Sequence, residues 1–518
     1  MFGLYLLFLL LVANSSGSKI LVLSGMPARS NFIYFAKLGE HLANAGQEVT
    51  LLLGHYNDLD KIAHVKKLLK FETYNTVINK TLFEKLDKDY YEKAVSGTAS
   101  LADWVASFGK TIVEDCSLIL ENDELFKNFR KANFDMVVFN TFTPCGALIA
   151  QKLSLPYVAF STTRPESPVH TFHTRIPSPI SYIPTVKSCL TTKMTLVERL
   201  QNMAQYVVAL YYFDFVTLKP YQMLKTQHNI KPESPMYNFL ADAEIVLFGV
   251  DWASDIPRPL MPNTVFIGCM LCQEPKPLSN EWQEFVNSAD DGIVVFSLGS
   301  YATPGVSIEK AEIIAAALAR LPQKVAMRYE GKPPKNLGTN TKLAQWIPQN
   351  DLLGHPRTKA FVTHAGMNGV AEAIFHGVPI VGIPLWSDQF DNMARMTEKG
   401  MAVTLTMATL TSDELYEAVK NVIEDLSYKE NAARLSRIQR DAPMSTGEAA
   451  VFWIEHVINH GGQHLRAEAL NLNIIQYFSL DVIAFLFVIL IVFVFVFVKA
   501  MSFFCRLLCK KTGKEKVN

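Results

Sequence analysis

The chain has 518 residues, 49% hydrophobic and 19% charged, with 49 basic side chains balanced by 49 acidic ones. That composition is too apolar for a disordered chain and lacks the basic excess of a nucleic-acid binder. Seven cysteines exclude a disulfide-built scaffold. A mean hydropathy of +0.14 points to a membrane segment attached to a large globular protein of roughly two to four domains.

Leu4 to Ala13 is an apolar run followed by Ser15, Ser16 and Gly17. It reads as a secretory leader over residues 1–17, although no basic residue precedes it. Lys19 to Ser24 (KILVLS) then reads as a strand, Ile33 to Asn44 as a helix closed by Gly46, and Glu48 to Leu53 (EVTLLL) as a second strand. Strand, helix, glycine, strand is a βαβ unit, so the sheet is expected to be parallel. Asp58-Leu59-Asp60 and Asp87-Lys88-Asp89 have the D-x-D form of metal sites but read as solvated turns, and neither a metal nor another cofactor is expected. Asn79-Lys80-Thr81 is a glycosylation acceptor.

Phe134 to Phe139 (FDMVVF) and Tyr157 to Ser161 (YVAFS) repeat the strand pattern around a helix over Pro144–Leu153. Residues 55–130 and 160–240 are apolar and aromatic, for example Tyr206 to Phe215. They suit a pocket for a small lipophilic molecule, ordinary core, or a helix on a bilayer surface. Asp255 to Asn263 (DIPRPLMPN) holds three prolines and reads as a linker. Cys269 and Cys272 form a lone C-x-x-C, read as an incidental pair or a disulfide rather than a zinc site. New strands follow at Gly292–Ser297, Ala360–Thr363 and Val378–Ile383, with helices at Ser307–Leu321 and Asn368–Phe375. The expected fold class is therefore α/β, two Rossmann-like domains (18–263 and 264–470) facing each other across a cleft.

Val482 to Val498 is uninterrupted apolar sequence, and residues 480–500 are long enough to span a bilayer. The tail 501–518, with Arg506, Lys510, Lys511, Lys514 and Lys516, then belongs in the cytosol, which places both domains on the far side in type I topology. Lys514 and Lys516 resemble the dilysine retrieval signal of endoplasmic reticulum membrane proteins. Cys505 and Cys509 sit beside the membrane as palmitoylation candidates or plain thiols.

The densest pattern runs from Trp346 to Gln389: WIPQNDLLGHPRTKAFVTHAGMNGVAEAIFHGVPIVGIPLWSDQ. It resembles the signature of the UDP-glycosyltransferases, the animal glucuronosyltransferase-like enzymes, and the resemblance extends to the leader, both domains (the GT-B arrangement), the membrane helix and the basic tail. It implies inverting transfer of a sugar, glucuronosyl before glucosyl, from a UDP-sugar co-substrate to a small lipophilic acceptor. The residue types fit that implication. Trp346 offers a flat surface to uracil. Gln349 and Glu372 suit ribose hydroxyls. His364, Gly366, Asn368 and Gly369 open a helix whose free N–H groups attract a diphosphate. Ser297, Gly299 and Ser300 resemble the family's other phosphate loop. Asp388 and Gln389 suit sugar hydroxyls. At Gly369 the family commonly carries Ser.

The family takes the acceptor's proton with a His oriented by an Asp. Counting from Gly46 and from Asp135, those positions fall on Asn31 and Asn140, and an amide cannot act as a base. His170 or His173 stand as alternative bases. A competing reading is a UDP-sugar-binding pseudoenzyme or regulatory partner, with assembly into homo- or hetero-oligomers left open. Arg258 is the cation on hand for a glucuronate carboxylate.

Overall fold

The computed structural model describes residues 17–25, 29–55, 57, 62, 65–99, 103, 108–299 and 306–512. Residues 1–16 of the leader, the Asp58–Asp60 motif, Ser300 and the terminal lysines Lys514 and Lys516 lie outside them. Residues up to Leu465 form one compact unit and those from Arg466 a second.

Among the described residues there are thirteen strands, the central ones runs of β-branched and aliphatic residues, in two wholly parallel sheets. The first comprises β1 (Lys19–Leu23), β2 (Glu48–Gly54), β3 (Lys70–Tyr74), β4 (Met136–Asn140), β5 (Tyr157–Ser161), β6 (Ile245–Phe248) and β7 (Thr264–Phe266), in the order β3-β2-β1-β4-β5-β6-β7. The second comprises β8 (Ile293–Ser297), β9 (Lys324–Arg328), β10 (Thr341–Ala344), β11 (Thr358–Thr363), β12 (Ile380–Gly382) and β13 (Ala402–Thr404), in the order β10-β9-β8-β11-β12-β13. The central strands are buried on both faces, which explains their continuous rather than alternating hydrophobicity. Each sheet reverses its winding between its first and fourth strands, β1/β4 and β8/β11. Ligands of open parallel sheets collect at that switch point, outside the strands' C-terminal ends.

The helix Arg29–Asn44 starts four residues before the expected Ile33, and Gly46 closes its turn at φ +93°. The first sheet takes its last strand from beyond the proline-rich segment, at Thr264–Phe266. The helix Thr446–His460, opened by a Ser445/Glu448 capping box, returns to the first sheet and buries Ala449, Ala450, Ile454 and Val457 in its core. Among the described residues two disulfides are present: Cys269–Cys272, and Cys116–Cys145, which joins the helices Lys110–Glu121 and Cys145–Leu153. Closing that 29-residue separation contributes about 3–4 kcal/mol on loop entropy. Asp89 lies exposed within the helix Lys80–Ser96 rather than in a turn.

In the second unit the helix Leu480–Thr512 is apolar and exposed throughout Leu480–Leu507, long enough to cross a membrane.

Candidate functional site

At the second sheet's switch point the chain leaves β8 through Ser297–Gly299 and β11 through His364–Gly366. Gly299 takes φ +78°, and a Cβ there would lie 2.5 Å from His364 Cε1. A Cβ on Gly366 would lie 2.7 Å from His364 Nε2. The imidazole is thus wedged between two bare stretches of backbone, which only glycine permits. Ala365 between them sits at φ +63°, in the left-handed region, held by Asn392 Nδ2 donating to its carbonyl at 2.9 Å. Strain of this kind persists where surrounding contacts enforce it and collects at functional turns. Burial, with the charge of Arg328, pushes His364 down to about 4, so at neutral pH it is an uncharged hydrogen-bonding group. Ser297 Oγ accepts from the Gly299 N–H at 3.3 Å.

The helix Met367–Phe375 begins at Gly366 with no side-chain cap, so its first N–H groups, around Asn368 and Gly369, are open to an anion. Gln349 donates to Glu372 at 2.5 Å, and a Cβ on Gly369 would sit 3.8 Å from the same Gln349 amide nitrogen. Burial raises Glu372 to about 7 against that hydrogen bond. Trp346 is 63% exposed, its ring under the Arg328 guanidinium at 4.5 Å. Arg328, on a strand the sequence reading passed over, thus links Trp346 to His364. Gln389 Oε1 accepts from Leu385 N and Trp386 N, and Asp388 Oδ2 accepts from Asn392, so both stand where the second sheet's loop enters the helix Gln389–Glu398. The expected donor residues among those described therefore gather along the C-terminal ends of β8, β10, β11 and β12.

The first sheet's switch point carries Asn31 and Asn140. Asn140 ends β4, wholly buried; its Oδ1 accepts from Phe142 N at 2.9 Å, and its Nδ2 has no partner among the described residues. Asn31 Oδ1 accepts from Thr162 Oγ1 at 3.1 Å, beyond β5. Beside them opens a pocket at the ends of β1, β2 and β3, lined by Leu23, Tyr74, Ile112, Ile119 and Thr143 among others. Neither alternative histidine is placed to serve as base. His170 Nδ1 accepts from Glu166 N and its Nε2 meets Thr141 Oγ1, and burial pushes it down to about 3. His173 Nδ1 meets the Tyr237 carbonyl and its Nε2 meets Asp214 at 3.1 Å, within the core under Phe213. Arg258 is also committed: buried, it donates to the Pro165 carbonyl and pairs with Asp255 at 3.1 Å. Asn79 caps the helix Lys80–Ser96 through Leu82 N and is exposed.

The loop after β5 joins the two halves. Arg164 donates to Met367 Sδ at 3.8 Å and pairs with Asp255, which also meets Arg258 and Arg395 of the helix Gln389–Glu398. Burial alone would raise the Asp255 carboxyl, but Arg258, Arg395 and Arg164 hold it below the usual range. Lys187 N and Cys189 N donate to Asp391 on the same helix. Tyr90 and Tyr91 meet Trp386 edge-on at 5.3 and 6.1 Å. Within this joint stands Glu166, which the sequence reading missed. Burial and the nearby Asp388 push it up to about 8, against the pull of Arg164. No motif marks Glu166; only the folding of its loop against Asp388 does.

Two parallel sheets, each with its own switch point, make a GT-B glycosyltransferase fold, and solved structures agree. The glycotransferase of kitacinnamycin matches 85% of this chain and 99% of its own at a TM-score of 0.61 and 19% identity. The spinosyn forosaminyltransferase SpnP matches 86% and 100% at 0.57 and 17%. The family model described as "UDP-glucoronosyl and UDP-glucosyl transferase" matches residues 18–515, and the chain belongs to that family. UDP-glucuronosyltransferase 2A3 of Cavia porcellus is 40% identical over 492 residues, 93% of this chain and 92% of that protein. Human UDP-glucuronosyltransferase 2B15 is 38% identical over 534 residues, covering 99% and 98%.

Proposed function

We propose that this chain transfers a sugar, glucuronosyl before glucosyl, from a UDP-sugar to a small lipophilic acceptor with inversion. The observation that carries the reading is the turn at His364, wedged between Gly299 and Gly366 at the mouth of an uncapped helix. Such a turn offers N–H donors to a diphosphate. Trp346 would stack on uracil, Gln349 and Glu372 would hold the ribose, and Asp388 and Gln389 the sugar. The acceptor would lie at the first sheet's switch point, beside Asn31 and Asn140.

In the reaction the acceptor oxygen attacks the anomeric carbon, the bond from that carbon to the phosphate oxygen breaks, and UDP leaves. Donors at the start of the Met367 helix and the neutral His364 receive the charge that grows on the phosphate. Asn31 and Asn140 hold hydrogen-bonded loop positions and accept no proton. We assign the base to Glu166 because its loop follows β5 into the joint with the second sheet, where Arg164 reaches Met367; there burial and the Asp388 charge push its carboxyl up to about 8. The glucuronosyl preference rests on the names of the relatives, since Arg258 is paired with Asp255. The two disulfides support an oxidising compartment, consistent with lumenal domains of an endoplasmic reticulum type I protein.

The Asn31/Asn140 pair favours a second reading, a UDP-sugar-binding partner without turnover. UDP release by the detergent-solubilised chain decides, with UDP-glucuronate, UDP-glucose and UDP-galactose each offered beside a panel of phenols and amines. Turnover with one donor, abolished by His364→Ala, is expected. UDP-sugar binding without any turnover would overturn the enzyme reading.

A further inference from the structure

The helix Gln389–Glu398 has the expected sugar-end residues Asp388 and Gln389 at its head, yet one of its faces is held by the other half of the molecule. Asp391, Arg395 and Glu398 are spaced by four and three residues, so they share that face. Arg395 meets Asp255 at 3.3 Å and Glu398 accepts from Thr192, both partners in the chain between β5 and β7. Asn392 donates to the Ala365 carbonyl and to Asp388 Oδ2, which ties the same helix to the His364 turn. The contact at Asp391 is the most specific of these. Lys187 N donates to its Oδ2 at 2.7 Å and Cys189 N to its Oδ1 at 3.1 Å, so each carboxylate oxygen has its own backbone donor. To reach it the loop enters left-handed backbone twice, at Lys187 (φ +62°) and at Cys189 (φ +57°), neither of them glycine. Backbone of this kind turns N–H groups inward onto an anion, and it persists where its surroundings enforce it. The Asp391 side chain is buried, and an ionised carboxylate only accepts, so it suits two facing N–H donors where an amide would not.

We infer that Asp391 is a positioning residue for sugar transfer: caught by the loop 187–189, it fixes the sugar end of the donor site at one place relative to the acceptor half. Its effect runs through Asp388 and Gln389, one turn back on the same helix. Trp386, two residues before Asp388, is met edge-on by Tyr90 and Tyr91, so the first half holds this turn before and after the sugar residues. A displacement of about 1 Å between reacting groups costs on the order of a hundredfold in rate. The residues assigned to the nucleotide, at 297–299, 346–349 and 364–372, all lie in the second half. Loss of the Asp391 contact should therefore show in turnover and not in nucleotide binding. The inference rests on the transferase reading for that rate, while the distance between the halves is measured independently of it.

The test uses the full chain in detergent micelles. Asp391→Asn keeps the size of the side chain and removes one of its two acceptors. Lys187→Pro reaches the same contact from the first half, since proline has neither the N–H nor access to φ +62°. In both variants kcat should fall about tenfold to a hundredfold, while UDP affinity in calorimetry stays within about twofold of the parent. Pulsed electron paramagnetic resonance then reports the distance between the halves. Nitroxides are placed at Lys127→Cys on the helix Asp123–Ala132 and at Glu417→Cys on the helix Ser412–Glu424, with Cys189, Cys505 and Cys509 changed to Ser. Both labelled positions are exposed, and Cys189→Ser leaves the backbone donor in place. One narrow distance in the parent should become a broad distribution in each variant. Parental turnover or a parental distance distribution in both variants would overturn the inference. So would a UDP affinity that falls in step with kcat, which would place Asp391 in the folding of the donor site instead. A parent without turnover would refute the transferase reading, and the distances alone would then uphold or overturn the contact between the halves.

Discussion

Replacing Glu166 by Gln tests the mechanism most directly. The substitution keeps the size and hydrogen-bonding reach of the side chain and removes only its ability to take a proton. A general base contributes about 10²–10⁴-fold to turnover, so kcat should fall by at least about a hundredfold. The pH profile gives the sharper readout. With Glu166 pushed up to about 8 by burial, about a tenth of the enzyme carries the ionised base at pH 7. The rate should therefore climb about tenfold per unit from pH 6 and level off above pH 8, and the Gln variant should lose that climb. Stability gives an independent sign. A carboxyl raised in the fold contributes stability that is fully present below its ordinary value of about 4.5 and is lost as pH rises toward 8. Glu166→Gln should hence unfold at a higher temperature than the parent at pH 8, with a smaller difference at pH 5. UDP binding, followed by calorimetry, should stay unchanged. Wild-type turnover with no loss in Glu166→Gln would refute the assignment; an inactive wild type would refute the transferase reading instead.

Gly369→Ser restores the residue common in the family. Its Cβ would meet nothing nearer than Phe361 at 3.4 Å, so the hydroxyl fits, and one added hydrogen bond of about 0.5–1.5 kcal/mol should tighten UDP about two- to tenfold in calorimetry. Asn31→His with Asn140→Asp, placed in the Glu166→Gln background, should recover turnover about tenfold or more with a new pH step near 6.5 if the first switch point still faces the acceptor. Asp255→Asn strands Arg164, Arg258 and Arg395 without their shared anion; a loss of about 3–5 kcal/mol is expected in thermal unfolding, far above that of a surface change.

What the sequence disclosed followed from local chemistry. The buried strands β1, β8 and β11 are continuous apolar runs that end in glycine turns, and the donor signature is contiguous, so both were readable. β3 (KFETY) and β10 (TKLA) are short edge strands without such runs and carry no signal of their own. The Cys116–Cys145 disulfide joins two helices that only the folded sheet brings together. Arg258 looked like a ligand cation because Asp255, three residues away, could not be seen to be buried with it. Glu166 escaped for the converse reason: its significance lies in Asp388, far away in sequence, and in the dry joint they share.

The two asparagines also make sense in that joint. Asn140 keeps the acceptor oxygen that anchors Phe142 N, a bond a carboxylate would make equally well, and its Nδ2 has no partner among the described residues. Asn31 keeps an oxygen for the Thr162 hydroxyl, which ties the start of its helix to the loop that carries Glu166 four residues later. The amides therefore preserve the loop geometry that a His–Asp pair would impose while giving up its proton chemistry. A base is still required if sugar transfer is retained, and the loop they hold carries one carboxyl, Glu166, close enough to Asp388 to feel its charge. Asparagine at both dyad positions and an intact glycine turn at His364 are then compatible in one enzyme, provided a carboxyl such as Glu166 takes the proton in their place.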